Sequence, residues 1–251
     1  MKLIASPGGP LRGEALIPGD KSSSHRALIL GAMASGTTTI TGLLESDDVL
    51  ATARAGASLG ATVEHLGPGE WHVTGARWTS PSDPIDCGNS GTAARLLLGA
   101  CAGIEGLVVT LTGDASLSQR PMRRVTAPLE RMGARFEGGD HLPITVHGGR
   151  LGAINHVNVP ASAQVKSALL LAGVASGAAV SVEEPLPSRD HSEIMLGEFG
   201  TPLTGRAIAI ACDPSSAAFP LVAAAIVPGS EVLVRGLLVN PLRTGLFEVL
   251  E

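Results

Sequence analysis

The stretch "IPGDKSSSHRALILGAMASGTTTITGLL" (17–44) contains the elements that decide the fold. A Pro-Gly break is followed by a polar run from Lys21 to Arg26, and an apolar run begins at once at Ala27. A Gly-marked turn then leads into residues 37–41, which are rich in β-branched side chains. This order predicts a polar loop, a helix that is apolar nearly all round and therefore buried, and a strand.

The same order of elements recurs in stretches that begin at residues 86, 159 and 212. Their first helices read "AARLLLGACA", "SALLLAGVA" and "AFPLVAAAI", and we expect each of them to be covered on every side. Each is followed by a β-rich run and by a second, more polar helix. Four copies of one pattern predict an α/β fold built from repeated units. Extra strands are predicted at 70–75 and 142–148, where they close the first and second repeats.

The spacing of the repeats changes along the chain. From 17 to 86 is 69 residues and from 86 to 159 is 73, but from 159 to 212 is only 53. The third repeat is therefore predicted to lack the extra hairpin, between "LGEFG" and "TGRAIAIAC". The fourth repeat reaches Glu251 inside its second helix. We accordingly expect residues 17–200 to form a compact domain and residues 212–251 to lack the partners that would bury their helices.

The composition argues against several classes of protein. The formal net charge is -5, aromatic residues make up 2%, and there is no tyrosine, so a general nucleic-acid binder is not expected. The longest apolar runs, such as 217–227, are too short to span a bilayer, and the first residues show no secretory signal. We expect a cytoplasmic protein without a membrane partner, whose thiols at Cys87, Cys101 and Cys212 are reduced and mostly buried.

Polar residues stand at the predicted start of all four first helices: "GDKSSSHR", "GNSGTAAR", "ASAQVK" and "DPSSAAF". A helix N-terminus carries unpaired N–H groups and a partial positive charge, and so it binds anions. The same residue types also start helices in proteins without ligands, and for one isolated loop that interpretation is favoured.

Two observations favour a ligand site over ordinary helix starts. Only three lysines occur, and Lys21 and Lys166 both stand at these starts. If the repeats pack around a common axis, the starts also converge on one surface, where Lys21 and Arg26 join serines and amides. Such a surface suits small phosphorylated or carboxylated ligands.

Two later loops add candidate ligand contacts. The loop "GDASLSQRPMRR" (113–124) supplies Arg120, whereas Arg123 and Arg124 fit a solvated helix start. In the loop "PSRDHSE" (187–193), Arg189 and His191 are candidates, although "DHSE" also fits a capped helix start. Motifs typical of nucleotide loops, nucleophile elbows and metal-binding histidine pairs do not occur in the sequence.

Six motifs together resemble the 5-enolpyruvylshikimate-3-phosphate synthase family of enolpyruvyl transferases: "PGDKSSSHRAL", "GNSGTAAR", "GDASLSQRPM", "SAQVKSALLLAG", "RDHSE" and "DPSSAAFPLVAA". The resemblance runs from about residue 5 to the end. "GDKS", "SAQVK" and "RDHSE" are similar to the glyphosate-tolerant bacterial class of the family. "NPLRTG" departs from that class, which has Thr where Leu242 stands.

The resemblance implies an inside-out α/β barrel of two domains, each made of three βαβαββ-type units with buried parallel helices. Four of the six units would be present here. Residues 17–211 would form one complete domain, and residues 1–16 with 212–251 would belong to the other. The complete form would be a monomer.

The resemblance also implies a reaction. The enolpyruvyl group of phosphoenolpyruvate would pass to the 5-hydroxyl of shikimate 3-phosphate with release of phosphate, a step of the shikimate pathway to chorismate and aromatic amino acids. No metal and no organic cofactor are implied. Glyphosate, which resembles phosphoenolpyruvate, would act as an inhibitor.

Motif by motif, the resemblance assigns roles to particular residues. Lys21 would be catalytic and would bind both substrates, and Gln164 would touch both. The remaining contacts would be Ser22, Arg26 and Ser162 with shikimate 3-phosphate, Gly91 and Arg120 with phosphoenolpyruvate, and Arg189 as a further substrate contact. The family's acid–base Asp and Glu come from its fifth and sixth units, so this chain alone is expected to be inactive.

Two alternatives stay open at this point. One is a non-catalytic fragment that binds shikimate 3-phosphate. The other is the sister transferase that acts on UDP-N-acetylglucosamine, whose mobile loop usually carries a cysteine and whose first helix start carries Lys-Asn. Here the loop has Ala115 and Ser116, and the helix start has Lys21 and Ser22. Both differences argue against the sister enzyme.

Overall fold

The computed structural model describes residue 4 and residues 8–250. Within these residues the helices are α1 (Lys21–Met33), α2 (Asp47–Ser58), α3 (Gly91–Ala102), α4 (Arg123–Arg131), α5 (Ala163–Ser176), α6 (His191–Phe199), α7 (Pro214–Ile226) and α8 (Gly245–Leu250). The strands are β1 (Arg12–Glu14), β2 (Thr37–Thr41), β3 (Thr62–Gly67), β4 (Glu70–Thr74), β5 (Ile85–Asp86), β6 (Val108–Thr112), β7 (Arg135–Glu137), β8 (Ile144–His147), β9 (Ile154–Val157), β10 (Val180–Glu183), β11 (Ala207–Ala209) and β12 (Glu231–Leu233). A 3-10 turn at Leu117–Gln119 precedes α4.

The order of helices and strands confirms the repeat pattern. α1, α3, α5 and α7 begin at the four predicted polar starts, and a strand follows each of them. The extra strands expected at 70–75 and 142–148 are β4 and β8. The α/β fold class is therefore confirmed, while the barrel arrangement of six units stays a prediction.

The first and second repeats build four-stranded sheets of one topology. In the second repeat β5 is parallel to β6, β6 is antiparallel to β8, and β8 is antiparallel to β7. The first repeat has the order β11-β2-β4-β3 with the same strand directions. Its first strand, β11, comes from the far side of the third repeat and pairs with β2 through Ile208 and Ile40. The chain thus returns to complete the first sheet.

The third repeat has a smaller sheet, in which β9 and β10 run parallel. After α6 the chain passes through residues 200–206 directly into β11. The corresponding segments after α2 and α4 hold the hairpins β3–β4 and β7–β8. The prediction that the third repeat lacks its hairpin is confirmed.

Glycines allow the buried helices α3 and α5 to approach each other closely. A Cβ atom on Gly99 would lie 2.1 Å from the carbonyl oxygen of Ala168, and one on Gly103 would lie 2.5 Å from that of Ala172. Both distances are far below van der Waals contact, so only glycine fits there. This approach fixes the starts of the two helices relative to each other.

The chain divides into two compact units, Lys21–Ile210 (the larger unit) and Met1–Asp20 with Ala211–Glu251 (the smaller unit). The borders lie close to the predicted domain limits of 17–211 and of 1–16 with 212–251, which stay a prediction for the six-repeat fold. No helix in the described part of the chain has the length and apolar character that a membrane span requires.

In the smaller unit, β1 pairs with β12, and Asp213 caps α7 by accepting a hydrogen bond from the backbone N–H of Ser215. Arg243, in "NPLRTG", forms ion pairs with Asp20 at 2.9 Å and with Asp213 at 2.8 Å. The two carboxylates belong to the two segments that lead into and out of the larger unit. Arg243 therefore holds these segments together inside the smaller unit.

The structure decides between two sequence-based expectations for α7. Coverage on every side, expected from its apolar character, is wrong, whereas the expectation that residues 212–251 lack the partners that would bury their helices is confirmed. All residues of α7 are described, and of these only Pro214 and Ala217 are buried, while Phe219 is 80% exposed. The helix is apolar all round but is not covered on every side. Sequence shows how apolar a helix is, whereas its coverage depends on which neighbouring elements pack against it.

Candidate functional site

Much of the polar run at the start of α1 serves the interior of the larger unit. The Ser24 hydroxyl accepts a hydrogen bond from the backbone N–H of Leu44, and His25 Nδ1 lies 2.7 Å from Thr52 Oγ1 on α2. Both side chains are fully buried. They hold the helix against its neighbours, which explains part of this unusual sequence without any ligand.

Arg26 links three helices at their N-terminal ends. It is 4% exposed, and its guanidinium donates to Ser192 Oγ and Ser167 Oγ at 2.6 Å each and to the carbonyl oxygen of Ser22 at 2.8 Å. The Ser192 hydroxyl in turn donates to Ser167 at 2.7 Å. Arg26 therefore fixes α1, α5 and α6 relative to one another, and Ser22 takes part through its backbone.

Two guanidinium groups lie against the start of α3. Ser90 caps the helix by accepting a hydrogen bond from the backbone N–H of Ala93. Gly91 follows, and a Cβ atom on it would lie 3.0 Å from Arg95 Nη1 and 3.3 Å from Arg120 Nη1. A side chain at this position would press on both groups, so glycine leaves room for them beside the helix N-terminus.

A chain of hydrogen bonds positions Arg120. The Asn89 side chain accepts a hydrogen bond from Arg120 Nη2 and donates one to Asp114 Oδ2 at 2.7 Å. Asp114 also accepts from the backbone N–H of Leu117 at 2.7 Å. The hydrogen bonds from Leu117, then from Asn89, lower the pKa of Asp114, so this carboxylate stays charged. The loop after β6 is thereby held with Arg120 over the start of α3.

Arg95 joins the start of α3 to the start of α5. Its Nη1 donates to Gln164 Oε1 at 2.8 Å, and Gln164 Nε2 donates to Thr92 Oγ1 at 3.0 Å. The structure thus brings three predicted residues, Gly91, Arg120 and Gln164, together around Arg95. Because Gln164 and Ser167 lie one turn apart on α5, this group and the Arg26 hydrogen bonds share one helix.

Positive charge accumulates at this position. Burial lowers the pKa of Arg95, and the nearby charges of Arg124 and Arg120 lower it further. A guanidinium nevertheless remains protonated in proteins. None of the ion pairs found within residues 8–250 involves Arg95, Arg120 or Arg124, which we call the arginine cluster. An anion bound here would relieve the mutual repulsion and would meet the guanidinium of Arg120, whose Nη1 makes none of the hydrogen bonds described within residues 8–250.

The other predicted site residues are placed less specifically. Lys21 forms an ion pair with Asp48 at the start of α2, and its side chain is 45% exposed. Ser162 caps α5 by accepting from the backbone N–H of Val165, the ordinary role of a serine at that position. Arg189 is exposed in the loop before α6, and none of the hydrogen bonds or ion pairs described for residues 8–250 includes it. The roles predicted for these residues stay predictions.

Lys166 does not contribute positive charge to the predicted anion-binding surface. The expectation drawn from the two lysines at helix starts is therefore wrong for Lys166. Its side chain is 6% exposed, and its ammonium lies 2.6 Å from Glu184 Oε2 and 2.7 Å from Glu193 Oε1. Burial opposes the charge on Glu184, but hydrogen bonds from Lys166, Ser188 and Asn158 outweigh it and lower the pKa of Glu184 to about 2. Lys166 is thus neutralised inside the larger unit.

The ion pair of Lys166 with Glu193 also explains why the start of α6 differs from the predicted capping pattern. Asp190 stands at the N-cap of α6 but makes no side-chain capping hydrogen bond, so the capping pattern of "DHSE" is not used. Its fourth residue, Glu193, binds Lys166 instead. The helix begins where the motif predicts, but the acidic residue serves an ion pair.

Sequence reasoning missed Arg95 and Asn89. Both lie in the motif "GNSGTAAR", of which only Gly91 is assigned a role from the sequence. A signal was available, because Arg95 is the one charged residue in the otherwise apolar stretch 91–102. A charged residue in a helix that packs on all sides needs a polar partner or a ligand.

Comparisons with known proteins agree on one family. The sequence profile of EPSP synthase (3-phosphoshikimate 1-carboxyvinyltransferase) matches residues 5–251. The 3-phosphoshikimate 1-carboxyvinyltransferase of Caulobacter vibrioides (strain NA1000 / CB15N) is 52% identical over 99% of this chain, and that of Maricaulis maris (strain MCS10) is 51% identical over 98%. A solved structure of EPSP synthase from Acinetobacter baumannii superposes with a TM-score of 0.88 at 40% identity, covering 97% of this chain.

This chain covers only part of the length of each relative. The chain spans 62% of the Caulobacter protein, 60% of the Maricaulis protein and 60% of the Acinetobacter chain. The Caulobacter alignment extends over 275 positions although this chain has 251 residues. That relative therefore carries residues within the matched region that have no counterpart here.

Proposed function

Because this chain belongs to the EPSP synthase (3-phosphoshikimate 1-carboxyvinyltransferase) family, we propose that it takes part in enolpyruvyl transfer from phosphoenolpyruvate to the 5-hydroxyl of shikimate 3-phosphate, with release of phosphate. The observation that carries the proposal is the arginine cluster beside Gly91 and Gln164. It combines positive charge beside a helix start with no carboxylate partner among the described ion pairs.

The chemistry of phosphoenolpyruvate fits this position. The molecule carries a phosphate and a carboxylate, and guanidinium groups bind both in a bidentate manner. In the proposal, Arg120 and the start of α3 at Gly91 hold phosphoenolpyruvate. Gln164, fixed by Arg95, contacts both substrates. Arg95 acts as a positioning residue, because its Nη1 and Nη2 already donate to Gln164 and to the Pro121 carbonyl oxygen.

Shikimate 3-phosphate is assigned to the serine-rich side of the same unit. Ser22 and Ser162 stand at the starts of α1 and α5, and Arg26 lies between these helices. Lys21 is proposed as the catalytic residue and as a contact of both substrates, and Arg189 as a further contact. Transfer passes through a tetrahedral intermediate in which charge develops, and fixed cations stabilise such charge. We further propose cytoplasmic localisation, inhibition by glyphosate and, for a complete six-repeat form in which a hairpin covers the edge of the third repeat, a monomer.

Titration calorimetry of the 251-residue protein tests the proposal. Phosphoenolpyruvate and shikimate 3-phosphate are titrated into the parent and into Arg120→Gln. A charge-assisted contact is worth about 1.5–3 kcal/mol, so Arg120→Gln is expected to weaken phosphoenolpyruvate binding by at least about tenfold. Arg150→Gln is the matched control, because Arg150 is exposed and pairs only with Glu105 in the described ion pairs. The control is expected to bind as the parent does.

A phosphate-release assay on the same samples separates the alternatives. Binding without release supports a non-catalytic binding chain, and release with both substrates supports an active transferase. Binding of UDP-N-acetylglucosamine in place of shikimate 3-phosphate points to the sister transferase. If neither phosphoenolpyruvate nor shikimate 3-phosphate binds the parent protein, the proposed function is wrong.

A further inference from the structure

The sheet of the third repeat has an open edge. In the sheets of the first and second repeats, which we call its sister sheets, a further strand covers the corresponding edge. β2 and β6 each pair with an antiparallel strand, β4 and β8, on the side away from their parallel neighbour. β10 occupies the same place in the third repeat, and within residues 8–250 its only strand partner is β9. The pairing positions used by β4 and β8 are thus open along β10.

The helix beneath this edge is also less covered than its counterparts. When the three first helices are aligned at the glycine that ends each of them, Leu170 of α5 corresponds to Ile29 of α1 and Leu96 of α3. Ile29 and Leu96 are 2% and 0% exposed, whereas Leu170 is only partly buried and the following turn exposes Val174. The hairpin that would bury this face is the element that the third repeat lacks.

An open groove of about 870 Å³ lies at this place. Residues that line it include Met33, Trp78, Leu170, Val174, Val180 and Leu203. The groove therefore runs from β10 over the C-terminal half of α5 to the chain that follows α6. The extra residues of the Caulobacter relative within the matched region agree with a segment that relatives have and this chain lacks.

The hydrogen-bonding groups of β10 alternate in direction. The carbonyl oxygens of Ala179 and Glu183 face β9: they accept from Ile154 N at 3.0 Å and from Asn158 N, just after β9, at 2.9 Å. Val180 and Val182 therefore direct their backbone N–H and C=O groups to the open edge. The strand "VSVE" contains neither lysine nor proline, the residues that commonly block pairing at sheet edges.

We propose that a second copy of this chain pairs with this edge, so that two β10 strands run antiparallel across a two-fold axis at Ser181. In this register Val180 of one copy lies opposite Val182 of the other. The outward N–H and C=O groups of each valine then bond to the C=O and N–H groups of the valine opposite it. The valines then lie on one face over the two grooves, and the two Ser181 side chains meet on the other face. Antiparallel pairing is the arrangement by which β4 and β8 complete the sister sheets.

Three features favour a second copy over another partner. The two-fold register is self-complementary, as an isologous interface requires. It places Glu183 opposite Ala179, so that no like charges face each other. Within the larger unit, five of the seven exposed large apolar side chains also lie in the third repeat and its sheet, namely Val157, Val159, Val174, Leu186 and Ile194.

The first test is the mass of the 251-residue protein by sedimentation velocity over a concentration series. The parent is expected to form a dimer as concentration rises. Val182→Pro removes an outward N–H group that β9 does not use, and it is expected to shift the protein to monomer. Val182→Thr is the matched control, since it keeps the N–H group and the β-branched shape and is expected to remain dimeric. Circular dichroism of both variants checks that they are folded.

The second test is a cross-link that depends on register. In a Cys212→Ser background, Ser181→Cys places two thiols on facing residues whose Cα atoms are about 4.5 Å apart, within disulfide range. Glu183→Cys lies on the same exposed face of β10, but its two copies are separated by about four residues, roughly 13 Å. Mild oxidation is expected to link the first variant and not the second. A parent that stays monomeric at every concentration, or equal cross-linking of both variants, refutes the proposal.

Discussion

The buried pair of Lys166 and Glu184 predicts how the stability of the larger unit changes with pH. The pKa of Glu184 is held at about 2 against an ordinary value of 4.5, so the folded state favours the carboxylate. Stability from this group is fully present above pH 4.5 and is lost as the pH falls towards 2. At 1.36 kcal/mol for each pKa unit, its contribution to the free energy of unfolding at neutral pH is about 3 kcal/mol.

Glu184→Gln removes the charge but keeps the shape. It is expected to lower the free energy of unfolding by about 3 kcal/mol at pH 7 and by about half as much at pH 3, because the parent carboxylate is then losing its advantage. Urea unfolding followed by tryptophan fluorescence measures this. Both tryptophans, Trp71 and Trp78, lie in the larger unit, and the chain has no tyrosine.

Glu105→Gln serves as the control for this measurement. Glu105 pairs with Arg150 at the surface, where the two side chains are 69% and 88% exposed. Its removal is expected to change the free energy of unfolding by less than about 0.5 kcal/mol at either pH. A difference between parent and Glu184→Gln that is the same at pH 7 and pH 3 would show that the charge of Glu184 does not stabilise the fold.

Three further substitutions test the packing and the site. Gly99→Ala places a Cβ atom 2.1 Å from a backbone oxygen of α5 and is expected to lower the free energy of unfolding in urea by about 3 kcal/mol or more. The control Gly197→Ala, which meets open space on α6, is expected to leave it unchanged. Equal stabilities of the two variants contradict the close approach of α3 and α5. Gly91→Ala presses on the Arg120 guanidinium at 3.3 Å and is expected to raise the glyphosate inhibition constant of a complete enzyme; unchanged inhibition curves remove Gly91 from the site. Lys21→Ala is expected to weaken the binding of both substrates by about tenfold or more in calorimetry, and parental affinities contradict its assignment.

The helices and strands of the repeats were predictable because their signals are local. Apolar helices, Gly-marked turns and β-rich runs each occupy a few consecutive residues, and the short spacing of 53 residues revealed the missing hairpin. The pairing of β11 with β2 was not predictable in this way. The residues that pair are far apart in the chain, and nothing in the local pattern of "RAIAIA" identifies its partner strand.

The candidate site was predicted in part. Motifs located Gly91, Arg120 and Gln164, which the structure brings together around Arg95. They did not show that Lys166 is neutralised, because sequence gives the charge of a residue but not its burial or its partners. For the same reason Arg95 was overlooked within a motif already quoted.

The return of the chain to β2 bears on the order in which the protein folds during synthesis. The sheet of the second repeat draws all its strands from residues 85–147, so it can form while later residues are still being added. The first repeat leaves the ribosome earlier, yet its sheet waits for residues 207–209. Such a long-range pairing closes a large loop and is slow to form. In this protein the first repeat to be translated is thus expected to be later than the second in completing its sheet, and β2 remains an open edge during that interval.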